Sequence, residues 1–136
     1  MNLHKAKIAS ISWIIIGLLL TGCQSIPKHD HKRAHVHHVV ICWLKQPGHL
    51  KARKRLIDVS RHLLSIPGVV SVKAGQVLPS ERKVVDNSFD VAIIISFTDI
   101  KALHTYQNNP IHQKAIKETL IPLTKRVLIY DFVEQK

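Results

Sequence analysis

Acidic residues are scarce in this chain of 136 residues: nine aspartates and glutamates stand against 20 lysines and arginines, a formal charge of +11. Aromatic side chains are few as well, with two tryptophans, two tyrosines and three phenylalanines, and there are two cysteines. Such a charge balance favours anionic partners. The basic residues carry no interleaved aromatics on which bases could stack, so nucleic acid is not the expected partner. There is no glycine-rich phosphate loop, no His-Glu-x-x-His spacing and no nucleophile with a base beside it. No cofactor and no metal centre are expected in the folded part. The longest uncharged apolar run also falls short of the roughly 20 residues that a helix needs to cross the hydrocarbon of a bilayer.

That run, "IASISWIIIGLLL", follows Lys5 and Lys7 and is closed by the small residues before Cys23. This is the layout of a secretory signal rather than of a span. Leu20-Thr21-Gly22-Cys23 resembles the bacterial lipobox, which implies a lipoprotein signal peptide over residues 1–22 and acylation (palmitate among the chains) of Cys23, leaving it as the new N-terminus. A plain signal peptide with an incidental cysteine is the alternative. Several acyl chains would hold the protein to its membrane, since each buried methylene contributes roughly 0.8 kcal/mol. Gln24 stands where an aspartate is associated with inner-membrane retention, so the expected location is the envelope, facing the periplasm, with the outer membrane preferred. Loss of Lys5 and Lys7 leaves 18 basic against nine acidic residues, or +9. Anionic lipid head groups next to the anchor suit that charge.

Residues 23–35 read as a lipidated, histidine-rich linker without hydrophobic pattern. His29, His31 and His35, followed by His37 and His38, form His-x-His pairs that can hold a transition metal. With no carboxylate or thiolate framework beside them, a solvated tether is the other reading. Cys42 lies within "VVICWL" and behaves as a small buried hydrophobe. It has no partner once Cys23 is acylated, so no intramolecular disulfide is expected.

Beyond the linker, strands and helices alternate. "HVVICWLK" (38–45) predicts a first strand opened by His38 and bounded by Pro47-Gly48. Leu56, Ile57, Ser60, Leu63 and Leu64 mark the inner face of a helix that Pro67-Gly68 ends, its outer face carrying Lys51, Arg53, Lys54, Arg55 and Arg61. Strands follow over 68–78, 89–97 and 125–133. Between the last two lies a helix capped by Thr98 or Asp99 and broken at Asn108-Asn109-Pro110. The order is βαββαβ, an α+β arrangement with an antiparallel sheet. "VVICWL", "VAIII" and "RVLIYDFV" are apolar at successive positions, so both sheet faces need cover while the helices suffice for one. A homodimer packed sheet to sheet meets that need.

"HHVVICWLK", "IPGV", "VLPSERKVVDNSFDVAIIISFTDIKALHTYQNNPIH" and "LIYDF", in that order, resemble the stress-responsive A/B barrel (Dabb) domain family over residues 36–134. The resemblance implies a ferredoxin-like fold that dimerises through its sheets into an α/β barrel, and a link to stress responses. One branch of the family, a plant polyketide cyclase, uses a tyrosine and a histidine near the helix break in a Tyr-x-x-His-Pro-x-His pattern. Tyr106, Asn109, Pro110 and His112 occupy those positions, and His38 corresponds to its strand-opening histidine. Asn109 departs from the pattern, and the first helix lacks the cyclase's tyrosine. By residue chemistry, a histidine can serve as base and a phenol can stabilise an enolate oxygen; Tyr106 and His112 can equally be packing and corner residues. A non-catalytic, dimeric, lipid-anchored envelope protein whose barrel binds a small apolar ligand is the first reading. The second is an acid–base enzyme, cyclase- or lyase-like, using His112, Tyr106 and His38 on a carbonyl or polyketide-like substrate. Metal capture by the linker is the third.

Overall fold

A computed structural model describes residues 36–135. The expectations for the signal, for Cys23 and for the linker histidines up to His35 lie outside the described residues. The chain forms β1 (Val36–Leu44), α1 (Leu50–His62), a 3-10 turn at Leu63–Ser65, β2 (Val69–Gln76), β3 (Val91–Phe97), α2 (Ile100–Gln107) and α3 (Pro110–Ala115). A π-helical turn (Ile116–Leu120), a short α4 (Ile121–Leu123) and β4 (Thr124–Val133) complete it. The strands make one antiparallel sheet in the order β2-β3-β1-β4. This is the βαββαβ order that the patterning predicts and the ferredoxin-like fold that the resemblance implies.

β1 is central because its β-branched run can be buried on both faces, and its register decides which side chains meet. Val40 stands between Ile93 of β3 and Ile129 of β4, and His38 between Ile95 and Asp131. Val36, Val40, Cys42 and Leu44 of β1 pack with Val91, Ile93, Ile95 and Phe97 of β3 beneath Leu56, Leu63, Leu103 and Tyr106 of the helices. Two corners rest on glycine. Gly48 (φ 76°) turns the chain from β1 into α1, and Gly68 (φ 89°) turns it into β2. Both lie in the left-handed region that side chains disfavour. Asp90, itself buried, fixes the first corner by accepting from the N–H groups of Leu44 (2.9 Å) and Gly48 (2.8 Å).

Three local expectations are corrected. The first strand begins at Val36 rather than His38, so His37 belongs to the sheet, where its ring donor–acceptor pair reaches Ser96 and Glu134 at 2.9 Å each. Leu64 is 53% exposed because the 3-10 turn takes over after His62 and rotates it off the inner stripe. The second helix is interrupted twice. At the first break Asn109 is extended (φ −72°, ψ 133°), caps α3 through its side chain, and precedes Pro110 at the start of the helix. At the second, Pro122 has no N–H for the carbonyl four residues back. The turn before it widens, and Ile121 N–H bonds to the Ile116 carbonyl five residues back. Asp99 rather than Thr98 caps α2, accepting from Ala102 N–H at 2.8 Å.

Helices cover one face of the sheet. On the other, Ile94, Tyr130 and Phe132 are exposed beside half-buried Val39, Ile41 and Leu128. The second apolar face read from the non-alternating strands is therefore present, and no described element covers it.

Candidate functional site

A cavity of about 190 Å³ lies between the sheet and the helices. Its walls are mostly aliphatic: Val40, Ile93 and Ile95 from the sheet, Leu56 and Leu63 from the first helical segment, Ile116 from the π turn. Half-exposed Ile129 of the edge strand β4 also lines it and marks its open side. His38, Tyr106 and His112 meet on the same cavity. The three residues drawn from the sequence are thus brought together, although they come from three separate elements.

Each is held for a local reason. His38 and Asp131 are cross-strand partners in the β1–β4 ladder, which places His38 Nδ1 2.6 Å from Asp131 Oδ1. A carboxylate only accepts, so Nδ1 carries the proton and donates, leaving Nε2 of a neutral ring as an acceptor. Tyr106 lies in the last turn of α2 and is 1% exposed, packed on Phe97 with ring centroids 5.0 Å apart. Burial pushes its phenol well above the ordinary tyrosine range, so it remains a protonated donor at any physiological pH. His112 lies 4.1 Å from Tyr106 between centroids, and His38 lies 5.9 Å from it. The His112 Nδ1–H donates to the Gln107 carbonyl at 3.2 Å, across the Asn109-Pro110 corner. Its basicity is lowered, first by burial, against the opposing effect of that carbonyl, and further by the proximity of His38. The site therefore presents one hydroxyl donor and two ring-nitrogen acceptors to an apolar space.

Asp131 is the candidate site residue that sequence reading did not single out. The signal for it was a lone acid inside the apolar strand "LIYDF", but its pairing with His38 depends on strand register 93 residues apart. Asn109 does not reach into this group; its side chain accepts from Ile111 N–H at 2.9 Å and serves the helix start. The first helix presents no tyrosine to the cavity; Val59 and Ser60 line it there. Cys42 is fully buried, with its thiol pushed up to about 12 by desolvation, and is inert packing. Among the described residues no group of three or more histidine, cysteine or carboxylate side chains is placed to hold a metal.

Residues 36–134 match the Stress responsive A/B Barrel Domain (Dabb) family, and the chain belongs to that family. None of the curated proteins compared matches the sequence. Among solved structures, a Dabb family protein with a ferredoxin-like fold from Mesorhizobium loti superposes with a TM-score of 0.62 at 22% identity, covering 76% of this chain and 100% of that one. A dimeric ferredoxin-like protein of unknown function from Thermobifida fusca gives 0.61 at 16% identity, covering 74% and 92%. Hydroxynitrile lyase from Passiflora edulis gives 0.66 at 18% identity, covering 76% and 95%. These likenesses establish the fold, whose members range from unassigned proteins to an enzyme.

Proposed function

We propose that this chain is a lipid-anchored envelope protein, acylated at Cys23 and facing the periplasm from the outer membrane, whose Dabb domain pairs with a second copy and holds a small apolar molecule bearing a hydroxyl group. The family's description supports a role linked to stress. One observation carries the binding reading: a mostly aliphatic cavity whose polar groups, His38, Tyr106 and His112, converge. At about 190 Å³ it is of the size that takes one ring and a few further atoms, since an engineered apolar cavity of ~150 Å³ elsewhere binds benzene. A ligand hydroxyl can donate to a histidine nitrogen and accept from Tyr106 at once, so it satisfies donors and acceptors that otherwise face apolar walls. Neighbours described as dimeric support the pairing, as does the uncovered sheet face.

Titration with benzyl alcohol, followed by chemical-shift changes of cavity methyl groups, tests this. Saturable binding is expected, weakened roughly fivefold in Tyr106→Phe, the effect of losing one neutral hydrogen bond. Absence of binding, or equal affinity in the variant, contradicts it.

The His38–Asp131 pair favours a second reading, acid–base lysis of a hydroxynitrile. His38 Nε2 would take the hydroxyl proton, the carbon–cyanide bond would break to leave a carbonyl held by Tyr106, and the proton would pass to cyanide. Cyanide release from mandelonitrile, lost in His38→Ala, separates this reading from binding alone.

A further inference from the structure

The outer surface of the helical layer is as one-sided in charge as the inner surface is apolar. Its exposed cations are Lys51, Lys54, Arg55 and Arg61 on α1, with Lys101, Lys114 and Lys117 on α2, α3 and the π turn. Against these seven stand Asp58 of α1, Glu118 of the π turn and Asp99, the exposed cap of α2. Asp58 is shared between Lys54 and Arg61, the latter at 3.6 Å, while Glu118 lies 4.0 Å from Lys114. A shallow depression of about 330 Å³ on α1 is lined by Lys51, Lys54, Arg55 and His62, together with Asp58 and Val59. Apolar side chains are exposed among the cations: Leu50 (73%), Ile100 (53%), Ile111 (46%) and Ile121 (59%), each in the first turn of its helix. Basic side chains interspersed with exposed aliphatics suit the boundary between head groups and acyl chains, where cations are drawn to an anionic surface.

We propose that this helical surface is a membrane-docking face that seats the domain on a bilayer containing anionic phospholipid. The proposal rests on the reading that Cys23 anchors the chain. Twelve residues separate Cys23 from Val36, a reach of at most roughly 40 Å. α1 returns from the β1 corner towards the edge of the sheet where β1 begins, so the tether is rooted beside the C-terminal end of the basic helix. The opposite, apolar sheet face is the one proposed to meet a second copy, which leaves the helices outward, so that in a dimer one protomer's helical layer meets the bilayer and its partner's faces away. Anchor and basic face together give the two signals that stable attachment requires, and they would hold the domain in one orientation instead of leaving it to tumble on its tether.

The test uses the chain from Gln24 onward, which retains the whole core without an acyl anchor, and vesicles of phosphatidylcholine with or without about one-third phosphatidylglycerol. Binding to the anionic vesicles at low salt, reversed by salt and absent with phosphatidylcholine alone, is expected. Lys51→Gln/Lys54→Gln/Arg55→Gln should weaken it at least tenfold, and Lys45→Gln/Arg82→Gln/Lys83→Gln, which removes the same charge from loops outside the helices, by less than threefold. Equal losses in both triple variants would overturn the proposal, as would no binding to anionic vesicles. A measurement on the unsubstituted chain stands beside these: vesicles should protect Lys51, Lys54 and Lys117 from amine acetylation and leave Lys45 and Lys83 reactive, whereas the reverse pattern overturns the docking face. Acylation of Cys23 is read separately, from the mass of protein extracted from host membranes, so a failed anchor and a failed docking face are distinguished.

Discussion

Asp131 decides which nitrogen of His38 is left as an acceptor, and burial lowers the basicity of His112. The consequence for His112 has a definite sign. Its folded-state basicity is below the ordinary histidine value because the charged form is desolvated. The unfolded chain therefore takes up the proton first as pH falls. The stability held above about pH 6.5, the ordinary histidine pKa, declines as pH drops through the folded value. In urea unfolding between pH 5 and 8, His112→Gln should flatten that acid limb. An unchanged slope would mean that His112 is not the group responsible. Sequence reading reached His38, Tyr106 and His112 only through the resemblance to a family, because nothing in local spacing says that three elements converge. Asp131 stayed hidden for a related reason: its meaning lies in a cross-strand register set by the whole sheet.

At the scale of elements, the corners carry more stability than their composition suggests. A Cβ built on Gly68 would lie 2.7 Å from Ala102 Cβ, and the residue already has φ 89°. Gly68→Ala therefore adds left-handed backbone strain to a clash between atoms fixed to two backbones. A loss of about 2–4 kcal/mol in urea unfolding is expected. Asn109→Ala removes a cap from a helix of six residues and should cost about 1 kcal/mol. Equal effects from the two substitutions would contradict this ranking. Pro47-Gly48, Pro67-Gly68 and Asn109-Pro110 were all legible as punctuation, since proline and glycine constrain the backbone whatever surrounds them. The widened turn before Pro122 was not. Proline announces that one hydrogen bond is lost, but how the chain absorbs the loss depends on the packing of Ile116 and Thr119 against the cavity.

The described domain has two faces of different character, an apolar sheet and a basic helical layer, with the cavity between them. The apolar sheet face was readable from strands that fail to alternate, because a two-residue period must appear in the sequence whenever one face meets water. The cavity was not readable, since an unfilled volume depends on how far the helices stand from the sheet. In solution, light scattering should give twice the mass of the chain from Gln24 at micromolar concentration, and Ile94→Lys, on the sheet face, should shift it towards the monomer. A monomeric unsubstituted chain would contradict sheet-to-sheet pairing. The most direct test concerns the cavity itself. Protein purified gently from its own host is extracted and analysed by mass spectrometry for co-purifying small molecules, alongside Ala115→Phe, which places a ring in the cavity lined by Ala115. A small molecule bearing a hydroxyl group, recovered with the unsubstituted protein and depleted from a folded Ala115→Phe variant, is the expected result. Recovery of the same molecules in the same amounts from both proteins would contradict a ligand-holding cavity.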